Sequence, residues 1–446
     1  MHLLNATYQE IQNKIKENSE TREKEKNTFA EVFTPLELIE DMLNHFPPSV
    51  WKNPNNKWLD PSAGRGNFFL VVYFRLMQSL KNTIQDKNKR HKHILSKMLY
   101  MVELNTDNYH TLLFLFGKNT NIINDDFLND THSLNKEKFH IIVSNPPYQK
   151  NKQHTYAGSS GNKTLWDKFL LKSLNTLLSP NGFLGMITPS NWRRPEHPLL
   201  DIMSKQNQLL YLHIFNKKQG LEIFKAQTRF DVYCIQKTPI YKKTTIIDET
   251  NKTHIVCLKK TPFIPNGDFH AIHKITTIET KNGTPILYNS SLYSSKKLKK
   301  QKTKKYKHPI IHTMTKKGLG VRYSKVPFFK EPKVILNFNE TLYPYNDFLG
   351  KYGLSQLSFG IPIKSKKEGE QYVKALNTDT FKTIVKNTKW GSFQTDHRMF
   401  KYFKKGFPHI LLTRTRTRTR PPNHHHHRNI TQKNNKNNNL GIVLEK

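Results

Sequence analysis

A run of apolar β-forming residues stops abruptly at two prolines within FHIIVSNPPYQK, Phe139 to Lys150. Ile141 to Val143 is typical of a buried parallel strand. In the turn that follows, Asn145 to Tyr148, two prolines fix the backbone and remove two N–H donors. The turn therefore presents carbonyl acceptors beside an aromatic ring. We expect it to suit a planar substrate that carries an amino group.

Strand-like and helix-like segments alternate on both sides of this turn. Three apolar runs precede it: KWLD, MLYMVELN and NIINDDFL. Three follow it: GFLGMITPSNW, LLYLHIF and RFDVYCIQK. Such alternation predicts an α/β domain with a mostly parallel sheet and helices on both faces. Thr34 is predicted to cap a helix that starts at Pro35, and the polar stretch Lys81–His93 is predicted to be an inserted loop.

The charge of the chain indicates an anionic partner. Lys and Arg number 72 against 34 Asp and Glu, which leaves a net charge of +38. Nucleic acid explains this excess better than a membrane surface does. No apolar run approaches the roughly 18–20 residues of a membrane span, and the N-terminus lacks a secretory core. Two cysteines, Cys234 and Cys257, are too few for a disulfide framework or a multi-cysteine metal site, so we expect a soluble intracellular protein.

A glycine-containing turn, DPSAGRGNF at Asp60–Phe68, lies between a predicted strand and a predicted helix. Gly64 and Gly66 allow the backbone to approach a ligand closely, and the helix offers N–H groups at its start. The turn lacks the P-loop pattern, and Phe69 stands where a dinucleotide fingerprint needs its third glycine. A turn that opens with an acid suits a cofactor with an ammonium group.

Acidic and aromatic residues follow the next two predicted strands. Glu103 ends the second strand, where a carboxylate can accept from ribose hydroxyls. Asp126 and Phe127 follow the third strand and offer an acceptor for an exocyclic amine and a ring for stacking. Since the carboxyl ends of neighbouring parallel strands meet at one edge, these side chains predict a nucleoside crevice.

The order of these motifs resembles that of the adenine-specific (N6) DNA methyltransferases, in the permuted arrangement called the gamma class and found in restriction-modification systems. The resemblance covers residues 28–240. It rests on VFTP (Val32–Pro35), LDPSAGRGNF (Leu59–Phe68), VELN (Val102–Asn105), NDDFL (Asn124–Leu128), SNPPY, LWDKFLLKSL and GFLGMITPSNW. It implies a Rossmann-like class I methyltransferase domain with a mixed, mostly parallel sheet, S-adenosylmethionine as methyl donor, and no metal.

The resemblance also implies roles for individual residues. The catalytic residues would be Asn145, Pro146 and Tyr148: the Asn145 side-chain oxygen and the Pro146 carbonyl would accept the two hydrogens of the adenine amine, and Tyr148 would stack on a flipped-out base. A second aromatic would cover the other face of the base, and Phe224 and Phe230 are both candidates. The cofactor would contact Thr34, Asp60, Ser62, Ala63, Gly64, Gly66, Phe68, Glu103, Asp126, Phe127 and Asn145.

The chain after residue 240 is less regular and strongly basic. Short strand-like runs such as FHAIHK lie among Lys-rich turns, and Lys296–Lys307 and Arg414–Arg420 would add sequence-independent affinity for phosphates. The segments at 351–385 and 389–403 resemble target-recognition regions, with aromatics for a DNA-facing surface at Trp390, Phe393, Phe400 and Tyr402. We predict four parts: a polar arm at 1–27, the catalytic domain at 28–240, an α+β target-recognition domain at 241–412, and a disordered tail at 413–446 that includes His424–His427.

Other substrates are compatible with the same turn. NPPY also occurs in methyltransferases that act on a protein glutamine or an RNA base amine, because each presents a planar nitrogen. The large basic part after the catalytic unit favours double-stranded DNA over both. A separate restriction endonuclease is an open partner, and no membrane partner is expected.

Overall fold

The structure, a computed structural model, describes most of the chain. The described residues are 3–11, 13, 34–129, 133–149, 164–288, 290, 297–339, 341–391 and 394–413. Of the VFTP motif, only Thr34 and Pro35 lie within the described residues. Most of the arm at 1–27, the Arg414–Arg420 run and the His424–His427 run lie outside the described residues.

One nine-stranded sheet organises the first part of the chain. Its strands are β1 (Trp58–Asp60), β2 (Leu99–Val102), β3 (Asn121–Ile123), β4 (Phe139–Ser144), β5 (Leu178–Pro189), β6 (Gln208–Phe215), β7 (Phe230–Gln236), β8 (Thr244–Ile247) and β9 (Thr253–Val256). They lie in the order β3-β2-β1-β4-β5-β7-β6-β8-β9. β7 is antiparallel to β5 and β6, and β9 is antiparallel to β8, while the other pairs are parallel. The predicted mixed, mostly parallel sheet is confirmed.

Helices cover both faces of this sheet. They are α1 (Leu36–Asn44), α2 (Ser49–Lys52), α3 (Asn67–Ser79), α4 (Lys87–His93), α5 (Thr106–Phe116), α6 (Trp166–Leu171), α7 (Pro198–Asp201) and α8 (Lys217–Phe224). Three of them continue as π-helical turns, at Ile94–Met98, Lys172–Leu177 and Ile202–Gln206. Side chains alternate between the faces of a strand, so Trp58 packs with the residues of α1 and α3, and Leu59 packs with those of α6.

Two local predictions are wrong. Thr34 does not cap α1, because Pro35 is the N-cap residue and no side chain caps the helix. Lys81–His93 is not simply a loop, since α4 occupies its second half. The Asp86 carboxylate accepts from the Lys89 amide at 2.6 Å, and Arg90 is buried with its guanidinium bonded to the carbonyl of Ile84 at 2.6 Å. Polar composition concealed a capped helix with one buried cation.

The second part of the chain is α+β. Its strands are β10 (Leu298–Lys299), β11 (His308–Thr315), β12 (Gly318–Ser324), β13 (Lys333–Asn337), β14 (Tyr345–Asp347), β15 (Gly353–Leu354) and β16 (Ser358–Pro362). Its helices are α9 (Phe269–Ile275), α10 (Lys366–Leu376), α11 (Asp379–Asn387) and α12 (Phe407–Thr413). The strands form a four-stranded sheet, β10-β12-β11-β15, and a three-stranded sheet, β14-β13-β16.

Short 3₁₀ turns occur in both parts of the chain. They lie at Ser133–Lys136, Ser190–Arg193, Leu258–Lys260, Thr280–Asn282 and His397–Tyr402.

Predictions for this second part were less accurate. FHAIHK is helical rather than a strand, because Ala271, Ile272 and Ile275 bury one helical face. Phe400 is fully buried in the core and does not face DNA, whereas Phe393 lies outside the described residues. The first sheet continues past residue 240 through β8 and β9, and the domain limits stay a prediction. Within the described residues, no helix is long and apolar enough to cross a bilayer.

Candidate active site

The glycine turn and the proline turn meet at the carboxyl edge of the sheet, where the strand order reverses. Asp60 ends β1, and Asn145 follows the adjacent parallel strand β4. The hydroxyls of Ser62 and Ser144 share a hydrogen bond of 2.6 Å, and Ser62 also donates to the carbonyl of Asn145 at 3.4 Å. In open α/β sheets this switch point is where ligands bind.

Asp60 is fully buried at the carboxyl end of β1. Its Oδ1 accepts from the Ser62 amide at 3.1 Å and from the Ser144 hydroxyl at 3.2 Å, whereas Oδ2 is buried without a hydrogen-bond partner among the described residues. Burial raises the pKa of this carboxyl to about 7, although the bonds from Ser62 and Ser144 oppose the rise. A cation at Oδ2 would therefore find an acceptor that has no competing bond.

Glu103 connects the second strand to the glycine turn. Its carboxylate accepts from the amide of Gly64 at 2.7 Å and from the amide of Asn105 at 2.8 Å. The Ala63 amide also bonds to the carbonyl of Val102 at 3.0 Å. Glu103 thus shapes the turn, and its contact with a ribose stays a prediction.

Asp126 and Phe127 lie in the loop after β3. Asp126 is exposed, and its Oδ1 accepts from the Leu128 amide at 2.9 Å. Phe127 is 3% exposed and packs against Phe169 at 5.0 Å between ring centroids, with the Lys172 ammonium 5.2 Å from its ring. The structure places Phe127 in the hydrophobic core, and its stacking role stays a prediction.

The Asn145 amide is held in one orientation. Its Nδ2 donates to the Thr34 hydroxyl at 3.0 Å, and its Oδ1 is buried and bonded to nothing in the described part of the chain. Thr34 is in turn fixed by Asn67, whose side-chain nitrogen donates to the Thr34 carbonyl at 3.0 Å. Thr34 and Asn145, 111 positions apart, thus leave the Asn145 oxygen as an acceptor without a partner among the described residues. Nothing in the sequence indicates that these two residues are in contact.

Tyr148 supplies the aromatic face of the turn. Its side chain is half-buried, next to exposed Pro147 and buried Pro146. Burial, assisted by nearby Tyr233 and Asp231, raises the pKa of the Tyr148 phenol, so the ring is neutral at physiological pH. Because the phenol is neutral and its hydroxyl bonds to nothing among the described residues, the ring is suited to stacking rather than to proton abstraction.

The two candidates for a second aromatic differ in their surroundings. Phe230 is fully buried and stacks on Phe215 at 4.4 Å. Phe224, at the end of α8, is half-buried and contacts Phe230 edge-on at 4.7 Å. Of the pair, Phe224 retains surface for a ligand.

The turn that begins α3 tolerates only glycine at position 66. Gly66 has φ of +87°, and Phe68 in the first helical turn is buried. A Cβ on Gly66 would lie 2.6 Å from a ring carbon of Phe116 and 2.8 Å from a methyl of Leu112. Close packing of α5 against the turn therefore fixes the backbone of the glycine turn.

The strand order, with antiparallel β7 inserted between β5 and β6, and the glycine turn after β1 define a Rossmann-like class I methyltransferase domain. Residues 67–221 match the family described as Eco57I restriction-modification methylase. The resemblance to restriction-modification-type adenine methyltransferases is thereby confirmed.

Individual proteins are similar over part of the chain. An uncharacterised adenine-specific methylase of Mycoplasma pneumoniae is 28% identical over 36% of this chain and 55% of its own length. The type I restriction-modification methyltransferase subunit of Streptococcus thermophilus has a TM-score of 0.37 at 17% identity, covering 51% of this chain and 52% of that one. The ATP-dependent Type ISP restriction-modification enzyme LlaBIII, bound to DNA, has a TM-score of 0.44 at 12% identity. The match covers 74% of this chain and 33% of that one. The chain thus spans about half the length of the curated relative it matches.

Replacing Gly66 should destabilise the domain more than replacing a glycine of similar conformation elsewhere. Gly66→Ala combines a left-handed backbone with a clash against Phe116 and Leu112, at a cost of about 2–4 kcal/mol. Gly406→Ala is the matched control, because Gly406 also directly precedes a helix, has φ of +78° and has nothing within 4 Å of its Cβ position. It should cost about 1–2 kcal/mol in urea unfolding. Equal losses would show that the clash is relieved at no cost.

Proposed function

We propose that this chain is a site-specific DNA methyltransferase that transfers a methyl group from S-adenosylmethionine to N6 of a flipped-out adenine in double-stranded DNA. The observation that supports this most strongly is the Asn145 amide, whose nitrogen is committed to Thr34 and whose oxygen is a buried acceptor without a partner among the described residues. A folded chain seldom leaves a buried acceptor unpaired, because the loss costs about 1–3 kcal/mol. A ligand with an N–H donor would satisfy it.

The cofactor fits the crevice chemically. The ammonium of S-adenosylmethionine would bind at the unpaired Oδ2 of Asp60, next to the backbone of Gly64. Glu103 and Asp126 would face its ribose and its adenine amine. The other residues that we propose to line its site are Thr34, Ser62, Ala63, Gly66, Phe68, Phe127 and Asn145. When bound, this cofactor supplies an electrophilic methyl group.

The residues of the proline turn would prepare the acceptor nitrogen. An adenine amine is a poor nucleophile because its lone pair is delocalised into the ring. Asn145 Oδ1 and the Pro146 carbonyl would accept its two hydrogens, which draws the nitrogen toward a tetrahedral shape and frees the lone pair. Tyr148 would stack on the base, with Phe224 on the other face. The amine needs no strong base before transfer and can release its proton afterwards, so positioning and electrostatics carry the rate.

Charge supports DNA as the substrate. The lysines between Lys297 and Lys307 are all exposed, next to β10 and β11 of the second part. We propose that residues 241–412 select the DNA sequence and that the net charge of +38 supplies phosphate contacts. Binding should weaken steeply with salt. A separate restriction endonuclease is a proposed partner, and we propose an intracellular location.

Methyl transfer to DNA is the direct test of this function. Incubation of the protein with duplex DNA and S-adenosylmethionine that carries a labelled methyl group should yield labelled N6-methyladenine on hydrolysis. Asn145→Ala should lower the transfer rate roughly 100- to 1,000-fold, the loss expected when one oriented polar group is removed from a reacting centre. Its affinity for the cofactor, measured by calorimetry, should fall by much less than the transfer rate. Label in RNA or in a protein glutamine, with none in DNA, would contradict the proposal.

Cofactor binding should depend on pH through Asp60. Because the carboxyl has a raised pKa of about 7, it is mostly neutral below that pH and must lose its proton to pair with an ammonium. Affinity should therefore rise with pH between about 5 and 7, by up to tenfold per unit, in a range where an α-amine stays protonated. Asp60→Asn should bind more weakly at pH 7 and show a flat profile. A wild-type profile that is flat would rule out this role of Asp60.

A further inference from the structure

A cleft of about 300 Å³ next to Tyr148 is built from both parts of the chain. Asn191, just after β5, lines it from the first sheet. Trp390 and Gly391, just after α11, line it from the second part. A volume of this size is at the lower end of ligand pockets and suits a single flat base. The second part therefore contributes directly to the space beside the proposed catalytic turn.

Trp390 is fixed rigidly at this position. Its indole Nε1 donates to the carbonyl of Ile264 at 2.7 Å, and its ring lies edge-on to Phe263 at 5.5 Å. The side chain is only 4% exposed, and it lines the cleft. Such an aromatic surface needs no ordering when a ligand arrives.

A chain of buried hydrogen bonds ties this segment to the first sheet. The carbonyl of Lys389 accepts from the Asn266 side-chain nitrogen at 2.7 Å, and the Asn266 oxygen accepts from Arg193 at 2.8 Å. Arg193 also donates to the carboxylate of Asp231, in β7, at 2.8 Å, and both of these side chains are fully buried. An ion pair of this kind is costly to break. We therefore expect the segment that carries Trp390 and Gly391 to move together with the carboxyl edge of the first sheet.

Asn191, from the first part of the chain, and Gly391, from the second part, lie next to each other in the cleft. A Cβ added to Gly391 would lie 3.6 Å from Cβ of Asn191, an ordinary contact. The Oδ1 atom of Asn191 is buried and lacks a hydrogen-bond partner within the described segments. Both the space and an unused polar group point to a ligand on this side of Tyr148.

We propose that the target-base pocket is shared between the two parts of the chain, with Trp390 and Gly391 forming the wall that contacts the flipped-out adenine beside Tyr148. The inference rests on the proposed function and adds the residues that complete its base site. The pocket is complete only while the Arg193–Asn266–Lys389 chain of bonds holds the second part in place. Recognition of the DNA sequence and acceptance of the base therefore occur on one rigid unit.

A pair of substitutions at Gly391 tests the wall. The target adenine is first located by single-molecule sequencing of DNA methylated by the wild type, and 2-aminopurine is then placed there in a duplex. Gly391→Leu should fill the cleft, abolish the fluorescence rise that marks base flipping, and lower kcat/KM for DNA at least tenfold. Gly391→Ala, whose methyl group fits, should stay within about twofold of wild type in both readouts. Affinity for S-adenosylmethionine should be unchanged in both variants.

Trp390 gives a second, independent readout. Trp390→Ala should lower kcat/KM for DNA by roughly 5- to 150-fold, the size of one base–aromatic contact, and Trp390→Phe should recover part of the loss. If Trp390→Ala does not fold, the Gly391 pair decides. Wild-type kinetics and fluorescence in Gly391→Leu would overturn the shared pocket while leaving the proposed function intact. Failure of the wild type to methylate DNA would instead overturn the proposed function.

Discussion

The hydrogen bond between Thr34 and Asn145 is the interaction on which the site depends. An unrestrained amide can present either its nitrogen or its oxygen to a ligand, but here the nitrogen donates to the Thr34 hydroxyl at 3.0 Å and the oxygen is left bare. Thr34 is itself held by the side chain of Asn67 at the start of α3. Three separate parts of the chain thus define the direction of one acceptor.

The sheet supplies the frame for this arrangement. β1 and β4 are adjacent and parallel, so their carboxyl ends bring the glycine turn and the proline turn within bonding distance through Ser62 and Ser144. Two buried acceptors at this edge, Oδ2 of Asp60 and Oδ1 of Asn145, have no partner in the part of the chain that the structure describes. Each is unfavourable for folding alone and favourable once a donor or a cation is bound. The strain of the site is therefore electrostatic, and a bound donor or cation would relieve it.

Local patterns in the sequence predicted the sheet and the two turns, because apolar runs, glycines and prolines act over a few residues. The same local reasoning assigned Thr34 to a helix cap. It could not find the hydrogen bond between Thr34 and Asn145, because a contact between residues 111 positions apart leaves no periodic signal in the sequence. It missed α4, because buried Arg90 looks like any surface cation in the sequence. Phe400 was predicted to face DNA because its neighbours in the sequence are basic. Neighbouring charges do not show which aromatic side chains are buried in the core. Long-range polar contacts and the choice between core and surface are tertiary properties.

The single-turnover rate of methyl transfer in Thr34→Val tests the central claim most directly. Valine keeps the shape of threonine but cannot accept the Asn145 hydrogen, so the amide loses its fixed orientation. The rate should fall roughly tenfold or more, by more than any loss of affinity for S-adenosylmethionine or DNA, and Thr34→Ser should restore it. Transfer by Thr34→Val at the wild-type rate would show that the orientation of Asn145 does not depend on this bond, and the account would be wrong at its centre.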